Sequence, residues 1–123
     1  MYKRQFRNNG AIGALLDEYE KALNELILSI DNLTKKELTI IVDFETEDED
    51  CRSIQTILTH IIRAGYNYVV EVRRSLGETI GFIDYKTLNT VGEYKQGLEE
   101  MFKYNEELFK DCLLYTSDAA DES

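Results

Sequence analysis

Residues 53–77 read SIQTILTHIIRAGYNYVVEVRRSLG, and this stretch decides the fold class. Its apolar side chains recur every three or four residues, which is the spacing of one face of an α-helix. Asp50 or Ser53 is the expected N-cap, and Gly77 stands where a helix commonly ends. The face includes Ile54, Ile57, Leu58, Ile61, Ile62, Tyr68, Val69, Val72 and Leu76. A face this broad predicts contacts with at least two neighbouring helices.

Two more segments show the same periodicity. The first covers roughly residues 9–31, where apolar residues from Ile12 to Ile30 form one stripe and Asn8 and Asn9 are the expected caps. The other begins at Thr90. We therefore predict an all-α protein, an up-and-down helical bundle built around these three helices.

Local capping signals refine the helix boundaries. Thr34 is expected to cap a short turn over residues 35–38. Thr90 is followed three residues later by Glu93, which is the spacing of a capping box. Both signals predict that a helix begins at the next residue.

The segments between the helices are expected to be connectors. Residues 39–44 are rich in β-forming residues, but the chain offers no partner strand, so we interpret them as extended. Residues 45–50, ETEDED, are acidic. They are either a calcium loop or a solvated loop, and the lack of the glycine and distal glutamate of an EF-hand favours the solvated loop. Residues 78–89 form a second connector.

Composition excludes several classes of protein. The 123 residues include 14 basic and 24 acidic side chains, so the net charge is 14 − 24 = −10. Nucleic-acid binders usually cluster Lys and Arg, which argues against a nucleic-acid partner. The chain has neither an apolar run of about 20 residues nor a secretory signal, so we expect no membrane association and a cytoplasmic location.

Few side chains offer chemistry. His60 is the sole histidine and lies at the margin of the apolar face; from the residues alone it is either a hydrogen-bonded structural histidine or part of a metal site. A single histidine cannot complete a zinc or nickel site, which needs about three protein ligands. Cys51 precedes the second long helix and follows an acidic run, so we expect an unreactive thiol. The tyrosines are either pocket or core residues; the five considered are Tyr66, Tyr68, Tyr85, Tyr94 and Tyr104.

The C-terminal residues differ from the rest of the chain. Residues 112–122, CLLYTSDAADE, match the translation of a transposase-type sequencing-library adapter. We therefore expect residues 1–111 to be a partial bundle domain and residues 112–123 to be a non-native tail. Without the tail's three acidic residues, the charge becomes 14 − 21 = −7.

Two stretches carry a family resemblance: residues 7–20, RNNGAIGALLDEYE, and residues 51–66, CRSIQTILTHIIRAGY. They resemble the DinB-like family of metal-binding four-helix bundles, over about residues 5–111. The resemblance implies that His60 is the first ligand of a divalent metal, nickel or zinc. It also implies that two more histidines, four residues apart, lie on a fourth helix, which this chain lacks.

The resemblance implies a metal-dependent enzyme of the thiol-dependent transferase or hydrolase type, acting on a small-molecule substrate with a thiol cofactor or water. In this chain the metal site would be incomplete, so we expect a fragment that is inactive and does not hold the metal stably. The alternative is a helical binding or dimerisation module without chemistry. Three amphipathic helices without a fourth leave apolar surface open to water, so we also expect self-association, with a homodimer as one form.

Overall fold

The computed structural model describes residues 10–122, with side chains described as far as residue 112. Its elements are α1 (Gly10–Ile30), α2 (Lys35–Thr39), α3 (Ile54–Ser75) and α4 (Val91–Glu122), with a short 3₁₀ helix at Glu49–Cys51. Within residues 10–122 there is no β-strand. The prediction of an all-α helical bundle is confirmed. None of the described helices combines the length and apolar character needed to cross a membrane.

The predicted caps explain where the helices begin. Thr34 accepts the Glu37 N–H and completes a capping box before α2. Ser53 does the same with Thr56 before α3, so Ser53 rather than Asp50 is the N-cap. The Thr90 hydroxyl accepts the Glu93 N–H at 3.1 Å. The caps predicted at positions 8 and 9 lie outside the described residues.

The core lies where α1, α3 and α4 meet. α4 packs against both of the other long helices, and α2 packs against α3. The buried apolar side chains come from all four helices: Leu16, Leu23, Ile27, Ile30, Leu38, Leu58, Ile62, Tyr94, Leu98, Met101 and Phe102. Burial of such side chains contributes about 1.5–3 kcal/mol each before entropy is subtracted, so the helices are held mainly by packing.

The helix directions differ from a simple up-and-down order. Along α3 and α4, successive contacts advance together: Thr59 meets Tyr94, and further on Arg73 meets Asp111. These two helices are therefore parallel. α1 is antiparallel to α4, because Tyr19 contacts Met101 whereas the later Asp31 contacts the earlier Lys95. The predicted up-and-down connectivity is thus wrong between α3 and α4.

A long crossover makes the parallel arrangement possible. Gly77, with a φ of +97°, turns the chain after α3, and residues 78–90 return along α3 without forming a helix. Asn67 holds this segment by donating to the Ile83 carbonyl at 3.0 Å and accepting the Ile83 N–H at 2.7 Å. Gln55 donates to the Leu88 carbonyl at 2.7 Å near the other end. The amide side chains of α3 therefore replace the backbone partners that an extended segment lacks.

Candidate functional site

His60 lies on the exposed side of α3, two turns from its N-terminus. Its side chain is 52% exposed, so the imidazole is not part of the core. Asp50 and Arg63 lie beside the ring as polar partners, so the structural and metal-ligand interpretations of His60 both stay open. The neighbouring residue Thr59, in contrast, points inward and is buried.

Asp50, in the 3₁₀ helix before α3, binds the His60 side chain. One Asp50 carboxylate oxygen lies 3.2 Å from His60 Nδ1. The same carboxylate accepts from Nη2 of Arg63, with both oxygens at 3.0 Å. Arg63 thereby holds Asp50 in place, and Asp50 contacts the imidazole.

Two neighbours of Nδ1 bear on which imidazole nitrogen is free. Nη2 of Arg63 lies 3.4 Å from Nδ1 and can only donate, whereas the Asp50 carboxylate at 3.2 Å can only accept, so the pairing follows the tautomer. With the proton on Nδ1, the imidazole faces Asp50. Nε2 then carries the lone pair. Metal-binding histidines commonly donate one ring N–H to a carboxylate and coordinate through the other nitrogen. In that tautomer the Asp50–His60 pair has the arrangement of one metal ligand and its supporting carboxylate.

The described residues provide only one such ligand. Among them no group of three His, Cys, Asp or Glu side chains is close enough together to hold a metal ion. In the acidic run at residues 45–50, four carboxylate side chains are exposed to solvent: Glu45, Glu47, Asp48 and Glu49. Asp43 and Asp48 accept backbone N–H groups of their own loop.

Cys51 is exposed beside this acidic loop. Its thiol lies 3.5 Å from the Asp48 carboxylate, and this hydrogen bond is the main reason why the pKa of Cys51 is raised. A raised thiol pKa leaves less thiolate at neutral pH. This agrees with the prediction of an unreactive cysteine.

The tyrosines divide into core and surface residues. Tyr66 packs against Tyr85 and Tyr104, with ring centroids 5.7 and 5.2 Å apart, and partial burial raises the pKa of Tyr66. Tyr85 also lines an open cleft with Glu93, Gln96 and Glu100. Tyr94 is fully buried, whereas Tyr68 is exposed. Of the two predicted alternatives, the core position therefore applies to Tyr94 and the pocket position to Tyr85.

Two features were not predicted from the sequence. Asp50 was considered as a helix cap and as part of the acidic run but not as a partner of His60, although His60 and Arg63, three residues apart on the next helix, were a signal for a nearby carboxylate. The second is the buried hydroxyl pair of Thr59 and Tyr94, whose oxygens are 2.5 Å apart. No sequence spacing indicated this pair, because its members are 35 residues apart.

The comparisons with known proteins add no relative. No protein-family model, curated protein or solved structure matches the chain. The DinB-like resemblance and the metal role of His60 accordingly stay predictions, and the His60 site is interpreted from its geometry.

Proposed function

We propose that His60 is a ligand of a divalent metal, nickel or zinc, in a DinB-like enzyme of the thiol-dependent transferase or hydrolase type. The observation that carries the proposal is the 3.2 Å distance between the Asp50 carboxylate and Nδ1 of His60, which in the Nδ1-protonated tautomer leaves Nε2 free to coordinate. When bound, such a metal would lower the pKa of a coordinated thiol and so supply thiolate at neutral pH.

Among the residues present, His60 fits the role of one ligand in such a metal site. His60 would coordinate, Asp50 would hold its ring and tautomer, and Arg63 would hold Asp50. The described residues do not complete a coordination shell. The remaining ligands would come from outside residues 10–112, and binding by this chain alone is expected to be weak.

A nickel titration followed by ¹⁵N-labelled histidine NMR tests the proposal. Because His60 is the sole histidine, every imidazole signal belongs to it. We expect Ni²⁺ to broaden the NMR signal of Nε2 before that of Nδ1. We expect Asp50→Asn to weaken Ni²⁺ binding by about 10-fold, because it removes the supporting carboxylate. Glu71→Gln on the same helix is the matched control. Equal broadening of backbone signals near His60 in wild type and His60→Ala would contradict the proposal.

A second candidate function, a binding or dimerisation module, is favoured by a different observation. Several large apolar side chains are exposed, among them Ile57 and Tyr68 on α3 and Phe44 in the connector before it. Contiguous exposed apolar surface commonly marks an interaction site. An association constant that does not change when His60 is replaced by Ala would separate this function from metal chemistry.

A further inference from the structure

No further inference is drawn: the strongest candidate, the open cleft between the crossover and α4 that Tyr85, Glu93 and Glu100 line, is a pair of exposed carboxylates beside one half-buried tyrosine ring, and nothing else in the part of the chain that the structure describes points to a ligand that would occupy it.

Discussion

Tyr94→Phe tests how the crossover and the two parallel helices are held together. Tyr94 is 0% exposed, and its hydroxyl lies 2.5 Å from Oγ1 of Thr59 and accepts the Leu88 N–H at 3.0 Å. Thr59 already donates its single proton to the Gln55 carbonyl at 2.8 Å. Tyr94 must therefore donate to Thr59, so one hydroxyl connects α3, the crossover and α4.

The expected loss follows from this arrangement. Without the hydroxyl, the half-buried Leu88 N–H loses its acceptor and Thr59 loses a donor, while the ring still fills its site. Leaving a buried donor unsatisfied costs about 1–3 kcal/mol, and we expect the free energy of unfolding to fall by that amount. Urea unfolding followed by far-UV circular dichroism measures it, provided that the transition is cooperative.

Two further variants make the test specific. Tyr68→Phe removes a hydroxyl from an exposed ring and should change the free energy of unfolding by no more than about 0.5 kcal/mol. Thr59→Val combined with Tyr94→Phe should show a coupling free energy of about 0.5–3 kcal/mol. A Tyr94→Phe chain as stable as wild type, or additive effects of the two substitutions, would refute the proposed connection.

Three other perturbations have defined outcomes. Gly65→Ala should lower the urea midpoint of unfolding, because the added methyl group overlaps the Sδ atom of the buried Met101. This overlap costs about 1–3 kcal/mol. The cost exceeds the gain in helix propensity from glycine to alanine, which is about 1 kcal/mol. Asp48→Asn should speed the alkylation of Cys51, because the hydrogen bond to Asp48 raises the pKa of the thiol and so reduces its thiolate fraction. The rate of reaction with iodoacetamide, in a chain in which Cys112 is replaced by Ser, measures this effect. The backbone N–H of Thr34 lowers the pKa of Glu37 from its ordinary value of 4.5. The stabilisation by Glu37 is therefore present above about pH 4.5 and is lost as the pH falls through the lower pKa of the folded chain. Glu37→Gln should flatten the dependence of the unfolding free energy on pH in that acidic range.

The contradicting results are equally specific. A Gly65→Ala chain more stable than wild type would show that Met101 moves aside at little cost. Unchanged alkylation in Asp48→Asn would show that the carboxylate does not control Cys51. An equally steep acid dependence in Glu37→Gln would assign that dependence to other carboxylates.

The helices were largely predictable because their signals are local. Ser53, Thr34 and Thr90 each stand before a helix that begins at the next residue, and each satisfies free N–H groups of the first turn. The residue after α3, Leu76, caps the helix, and Gly77 follows with the positive φ expected there. Such signals depend on residues within one turn of each other.

The candidate site was predictable only in part. His60 was recognised as the sole imidazole, but its exposure was left open, because it lies at the margin of the apolar face of α3. Asp50 was named only as an alternative cap to Ser53 and as part of the acidic run, not as a partner of His60. Its carboxylate reaches His60 and Arg63 only because the 3₁₀ helix turns it back toward α3, and no rule of helix periodicity extends across that turn.

Spacing and capping signals predicted where α2, α3 and α4 begin, since such signals act over a few residues. The parallel direction of α3 and α4 could not be predicted in this way. That direction depends on contacts between distant residues, such as Asn67 with Ile83 and Thr59 with Tyr94, which form once the crossover lies along α3. The same packing turns one side of α3 inward and leaves His60 on the outside, where a ligand can reach it.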